Sequence, residues 1–432
     1  MTDPRRIVEL DKRYVWHPYT PMQRYVEETE PLVVVRAQGS RFFDANGRSY
    51  LDANSSWWCA VLGHGHPRLV AAIREQAERL CHVPLGGIAH EQAALLASEL
   101  VRVAPPGLEH VFYSDDGSTA VEAALRLALQ YSAQTGKPRR RRFVALDGAF
   151  HGDTLGASLV GGIDVFKRAF GGATLDCVHV PSDDGGHERA FSTLVELVER
   201  YESEIAGVIV EPVLQGAAGM RTYDPELLRS AREVTRRHGI PLVFDEVFTG
   251  YGRTGPFFAC EHAGVEPDLL CTAKGFTAGM LPMAATLATH EIYAAFLGDA
   301  SRAFYYGHTF CGNPLGARLA REVLAVYRDE RVLEGARPKA RAIRDAFTAL
   351  GAVPGVLKAR SLGMVGALEL GGDAGYLAES GWRVYDEALR RGAYLRPLGN
   401  TVYVAPALNI PDADLAELLG IVTESVRAVL GA

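Results

Sequence analysis

The chain has few cysteines, and no arrangement of them points to a metal site or a disulfide frame. The six, Cys59, Cys81, Cys177, Cys260, Cys271 and Cys311, are scattered, with no CxxC and no histidine pair at metal-ligand spacing. Neither a zinc site nor a stapled secreted scaffold is expected, so no metal is assigned and the cysteines read as small core residues of a reducing compartment. No apolar run approaches the roughly 20 residues that span a bilayer, and the opening MTDPRRIVELDKRYVW lacks the apolar core of a signal peptide. A cytoplasmic protein without a membrane partner is expected. Positive charge is not in excess either: the net charge is −7, and the one basic run, KPRRRRF at 137–143, falls between a helical and a strand-like pattern. It reads as a solvated loop rather than a nucleic-acid surface.

What is present is a globular composition, 48% hydrophobic and 22% charged, over 432 residues. That length exceeds the roughly 250–300 residues at which single cores stop growing, so a large domain with a smaller one is expected. Helical spacing marks Pro67 to Leu80 and the segment from Glu91. Short β-branched runs then alternate with helices. HVFYSD from His110 precedes a helix from Ser118 to about Gln134, and RFVALDGAF and DCVHVP precede one near Ser192 to Tyr201. AGVIVEPV precedes a helix from Pro225 to His238, and PLVFDEV and DLLCTA close the series. The alternation predicts a mostly parallel sheet with helices on both faces.

Past HTFCGNPLGARL the texture changes. Helices are expected up to Tyr327 and from about Pro338 to Leu350, then a strand in GMVGALEL, a helix from Trp382 to Arg391, a strand pair in AYLRPLGNTVYVAPAL and a closing helix from Asp412. The fold class is therefore α/β. Its expected division is an N-terminal segment (1–60) serving the small domain and the site, a large domain (61–312) and a small α/β domain (313–432).

In open parallel sheets ligands bind outside the carboxyl ends of the strands, so the informative residues stand just past each apolar run. Gly117 and Ser118 open a helix there, which suits an anion and equally suits an ordinary cap. Phe150 and His151 precede Gly152 and Asp153, where a ring can lie over a flat ligand; a core histidine beside a turn would look the same. Asp245 and Glu246 end PLVF, with Arg253 as one possible partner. Lys274 ends DLLCTA, and a lysine is rarely buried without a partner or a task. An anion cradle, an aromatic plate, a carboxylate and an amine on successive strands are what pyridoxal 5'-phosphate requires.

With Asp245 and Lys274 so placed, LVFDEVFTGYGRTGPFFACEH and PDLLCTAKGFTAGMLPMAA resemble the class III aminotransferases, pyridoxal-phosphate enzymes of fold type I. The likeness runs from WHPYTPM to LRPLGNTVYVAPAL. It implies a transaminase and a homodimer with shared active sites. Lys274 would be the lysine that links to the cofactor and Asp245 the partner of its pyridine nitrogen. Gly117 and Ser118 would cradle the phosphate, and Thr309 of YGHTFCGNP would be a phosphate ligand given to the other subunit.

Four further stretches, WHPYTPM, LDANSSWWCAVLGHGHP, FHGDTLGA and LRPLGNTVY, resemble the members that aminate 8-amino-7-oxononanoate in biotin biosynthesis. That likeness implies Tyr19, Trp57 and Trp58 as pocket walls, Arg396 as the carboxylate anchor, Asp153 in the same polar corner and Gly307 beside the substrate. The donor would be S-adenosylmethionine or lysine. Phe150, Phe248 and His308 depart from the usual pattern where the donor should bind. Within the family the alternative is an omega-aminotransferase for ornithine, 4-aminobutyrate or a diamine; outside it, an aminomutase that keeps the cofactor.

Overall fold

The computed structural model describes residues 3–167, 175–181, 187–372 and 375–431. At its centre lies a seven-stranded sheet built from Leu108–Ser114 (β1), Arg142–Leu146 (β2), Cys177–Val180 (β3), Ile205–Val210 (β4), Leu242–Asp245 (β5), Leu269–Thr272 (β6) and Ala284–Thr289 (β7). Their spatial order is β1-β7-β6-β5-β4-β2-β3. The pairs β6 with β5, β5 with β4, β4 with β2 and β2 with β3 are parallel. The inner strands are apolar on both faces and every residue of β4, β5 and β6 is buried, as a sheet covered by helices requires. Helix Glu226–His238 shows how a crossover ends: Gly239 takes φ 57° at its C-cap, and the chain turns directly into β5.

The seventh strand was not expected. Ala284–Thr289 reads AATLAT, too rich in alanine to signal a strand, yet it pairs antiparallel with both β6 and β1. Tertiary pairing overrides weak β-propensity here.

Two smaller sheets flank the large one. Val34–Gln38, Arg41–Asp44 and Ser49–Asp52 form a meander that Ala393–Tyr394 joins in parallel. Val356–Leu362, Val365–Leu370 and Thr401–Val404 form an antiparallel sheet. The expected strand pair after Gly392 is thus corrected, because its two strands serve different sheets. Leu398 and Thr401 exchange two backbone hydrogen bonds of 2.9 Å across a tight turn, and beyond that turn the strands diverge.

Three other expectations change. The helix placed from Pro338 begins at Val332 and carries Pro338 inside it. Its buried residues Val332, Ala336, Ile343, Phe347 and Leu350 form one apolar face through the proline. Burying such side chains at about 1.5–3 kcal/mol each outweighs the roughly 3 kcal/mol an interior proline costs. The basic run is not wholly solvated: Arg140 is buried and donates to the carbonyls of Gly239 (2.5 Å) and His238 (2.9 Å), capping the C-terminus of the Glu226–His238 helix. Of the six cysteines only Cys260 and Cys271 are buried, and Cys81 is exposed. Among the described residues no helix is long and apolar enough to cross a membrane.

Candidate active site

The carboxyl ends of the parallel strands converge on one cavity of about 520 Å³, within the usual range for a small-molecule site. Asp245 is the last residue of β5 and stands level with Cys271 of β6, three residues before Lys274. Lys274 sits at φ 47°, at the start of a short 3-10 turn. Its Nζ lies 4.8 Å from the centroid of the Trp58 ring and has no hydrogen-bond or ion-pair partner among the described residues. Desolvation holds its pKa below the ordinary lysine value, against the opposing pull of the Asp245 and Glu211 carboxylates.

Asp245 is buried, and its partner is His151, whose Nδ1 lies 2.8 Å from Oδ2. The other carboxylate oxygen accepts from the Val247 amide at 3.1 Å. Arg253, weighed as a partner from sequence, is elsewhere: it is fully buried and donates to the Pro406 carbonyl at 2.7 Å. Glu246 turns the other way, accepting from the Ala259 and Cys260 amides at 3.0 and 2.9 Å. Burial raises its pKa to about 7.

Gly117 and Ser118 begin the helix Gly117–Gln134, whose N-cap Asp116 takes the Thr119 amide at 2.9 Å. The Gly117 and Ser118 amides remain without an acceptor among the described residues, on the cavity wall. Space is tight there. A Cβ on Gly117 would stand 2.6 Å from Val247 Cγ1, and one on Gly152 would stand 2.4 Å from Ser118 Oγ. Ser118 Oγ accepts from the Asp153 amide at 3.0 Å, and Tyr19 donates its hydroxyl to the Asp153 carboxylate.

The other wall is aromatic. Ser55, Ser56, Trp57 and Trp58 take φ of 47°, 46°, 65° and 74°, a left-handed turn that costs about 1–2 kcal/mol per residue outside glycine. It presents Trp58 to Lys274 and Trp57 to Arg396, whose guanidinium carbon lies 4.4 Å from the Trp57 ring centroid. Phe248 packs on Trp58 at 4.5 Å.

The fold therefore brings Tyr19, Trp57, Trp58, Gly117, Ser118, Phe150, His151, Asp153, Asp245, Lys274 and Arg396 to one cavity. It does not bring Gly307 and Thr309 there; both lie exposed on the 303–310 loop. Sequence reasoning missed Glu211, which comes directly after β4 much as Asp245 ends β5, so the same strand-end rule would have found it. Buried at the cavity, Glu211 accepts from the amides of Phe150 (3.1 Å) and Gly216 (2.9 Å), and burial raises its pKa to about 7. Phe166 and Tyr376 were also missed: Phe166 packs edge-on to Tyr19, Phe150 and Tyr376. Histidines that no spacing rule would join also meet, with His110 Nε2 3.2 Å from His290 Nδ1, and Glu109 beside them.

These residues fit pyridoxal phosphate. Two free amides at a helix N-terminus suit its phosphate, a buried carboxylate oriented by histidine suits its pyridinium, and an unpaired, desolvated amine suits its aldehyde.

The chain is matched by the family model for aminotransferase class-III over residues 23–426, a span that holds every candidate residue except Tyr19. An adenosylmethionine-8-amino-7-oxononanoate aminotransferase of Geobacter sulfurreducens is 38% identical over 99% of each chain. The crystal structure of the enzyme of that name from Methanocaldococcus jannaschii superposes with a TM-score of 0.95 at 34% identity over 99% of each chain. An amine transaminase from an uncultivated Pseudomonas species, solved in its PLP-bound form, superposes with a TM-score of 0.89 at 30% identity over 96% of this chain and 98% of that one.

Proposed function

The chain belongs to the class III aminotransferases, pyridoxal-phosphate enzymes, and from that premise we propose that it aminates the ketone of 8-amino-7-oxononanoate to give 7,8-diaminononanoate, with S-adenosylmethionine or lysine as donor. The observation that carries the substrate is the stacking of Arg396 on Trp57 in a cavity walled by Trp58 and Tyr19. A long aliphatic acid calls for apolar walls and one guanidinium, which takes a carboxylate by a two-pronged fork.

Pyridoxal phosphate, when bound, supplies an aldehyde that condenses with amines and a pyridinium ring that accepts the electron pair left when a proton leaves the substrate carbon. The protein's part is to hold and to move protons. Asp245, fixed by His151, keeps a proton on the ring nitrogen. Lys274, with its pKa lowered by burial, would be the amine that bonds the cofactor aldehyde and would carry a proton from and to the substrate carbon. Gly117 and Ser118 hold the phosphate, joined by Thr309 from a second copy of the chain. Phe150 would lie against the ring, and the cluster of Phe166 with Tyr19, Phe150 and Tyr376 would keep water out.

The test is a pair of half-reactions followed by the absorbance of the bound cofactor. S-adenosylmethionine and lysine are each mixed with the holoenzyme, and the true donor converts it at low concentration. 8-Amino-7-oxononanoate should then restore the starting spectrum. Restoration instead by a 4-aminobutyrate- or ornithine-derived aldehyde, with none by 8-amino-7-oxononanoate, would overturn the assignment. A donor consumed without release of a keto product would point to an aminomutase.

A further inference from the structure

We propose that Asn54 and Asp52 are positioning residues for the acceptor, resting on the reading of its site given above: they hold the left-handed Ser55–Trp58 turn so that the Trp57 indole and the Arg396 guanidinium stay in register. Four consecutive residues with side chains do not adopt φ between 46° and 74° unless their surroundings impose it. The surroundings here are specific. The Asp52 carboxylate is buried at the end of the strand Ser49–Asp52. Its Oδ1 accepts the Asn54 amide at 3.2 Å, and its Oδ2 accepts the Ser56 hydroxyl at 2.8 Å and lies 2.9 Å from His64 Nε2.

Asn54, also buried, ties the turn to both remaining parts of the wall. Its backbone carbonyl accepts the Trp58 amide at 2.7 Å. Its Oδ1 accepts the Arg396 amide at 2.7 Å, and its Nδ2 donates to the Tyr403 carbonyl at 3.3 Å. One side chain thus fixes the backbone of Arg396 and stands next to the turn that carries Trp57.

The two indoles differ in how they are held. Trp58 has its own tether, Nε1 donating to the Tyr403 hydroxyl at 3.0 Å. Trp57 has no indole hydrogen bond among the described residues; its place is set by the turn, by the Arg396 stack and by an edge contact with Tyr19 at 5.4 Å. Neither Asp52 nor Asn54 lines the cavity, so both act through Trp57 and Arg396. Loosening them should disturb acceptor binding and leave Lys274, Asp245 and the cofactor cradle, which sit on other segments of the chain, as they were.

The experiment uses the holoenzyme with Asn54→Ala and Ser56→Ala. The second variant removes one ligand of the Asp52 carboxylate without leaving a buried donor unpaired, and it decides the matter if the first fails to fold. Loss of a buried hydrogen bond predicts a rise of about tenfold in the KM for 8-amino-7-oxononanoate with Asn54→Ala and a smaller rise with Ser56→Ala. Cofactor affinity and the rate of the donor half-reaction should stay within about twofold of wild type. Acceptor affinity read by tryptophan fluorescence should fall in parallel, and Asn54→Asp, which keeps an acceptor for the Arg396 amide, should recover part of the loss. Unchanged acceptor KM in folded variants overturns the proposal, and so does an equal fall in both half-reactions. A wild-type holoenzyme that does not aminate 8-amino-7-oxononanoate overturns instead the reading on which the proposal rests.

Discussion

His151 Nδ1 lies 2.8 Å from Asp245 Oδ2, both residues buried, with Asp245 ending β5 and His151 in the loop after β2, two strands that have β4 between them. The contact makes the histidine the group that orients the carboxylate, while its own Nε2 has no hydrogen-bond partner among the described residues. A hydrogen bond to a charged group contributes about 1.5–3 kcal/mol. His151→Ala should therefore raise the Kd for pyridoxal phosphate about 10- to 100-fold in an equilibrium absorbance titration. An unchanged Kd would show that Asp245 needs no help from His151.

Lys274→Ala should keep the fold and abolish turnover, and borohydride should no longer fix the cofactor to the protein, as mass spectrometry would show. The same lysine carries a stability signature in the apoprotein. Its folded pKa is depressed below the ordinary 10.5, so the unfolded chain binds more protons in that window and stability rises with pH. The Tm advantage of Lys274→Met over wild type should accordingly shrink as the pH is raised toward 10.5. A gap that does not change with pH would mean the amine is not desolvated.

The legible part of the site was the part that obeys the strand-end rule. Asp245, Lys274, Gly117 and Ser118 each stand where an apolar run stops; the runs before Asp245 and Lys274 are strands buried throughout, and the one before Gly117 is partly buried. What was hidden depends on contacts between distant segments. Nothing near His151 in sequence reveals that Asp245, 94 positions on, is its partner. The strand Ala284–Thr289 and the proline-bearing helix Val332–Leu350 exist because neighbours bury them, against their local propensities. The left-handed turn at Ser55–Trp58 has no glycine to announce it.

Glu211 gives a second pH signature. Burial raises its pKa from 4.5 to about 7, so between those values the native state keeps a proton that the unfolded chain has lost, and stability falls as pH rises. Glu211→Gln lacks this slope. Glu246, shifted in the same way, is common to both proteins and cancels. The stability of wild type relative to Glu211→Gln should drop by about 3 kcal/mol from pH 4.5 to 7, measured by denaturant unfolding of the apoproteins. A flat difference would remove the carboxylate's strained burial.

Thr309 lies exposed on its own chain, and if a second copy completes each site, complementation should reveal it. Thr309→Ala should weaken cofactor binding, and Lys274→Ala should be inactive. When the two variants are unfolded together and refolded, mixed dimers should contain one site with both residues intact. Recovery of activity above the sum of the separately refolded variants supports the shared site. No recovery, in mixtures shown to exchange subunits, removes Thr309 from it.

The cradle can be tested apart from the rest of the cofactor. Gly152 takes φ 118°, and a Cβ there would stand 2.4 Å from Ser118 Oγ, so Gly152→Ala must displace the Ser118 hydroxyl or the loop carrying Asp153. If the Gly117 and Ser118 amides and that hydroxyl hold the phosphate, the variant should lose about tenfold or more in affinity for pyridoxal phosphate. It should lose little for pyridoxal, which has the same ring and aldehyde without the phosphate. An equal loss for both ligands would place the damage at the ring, through Phe150 and His151 just upstream, and would move the phosphate away from the helix N-terminus.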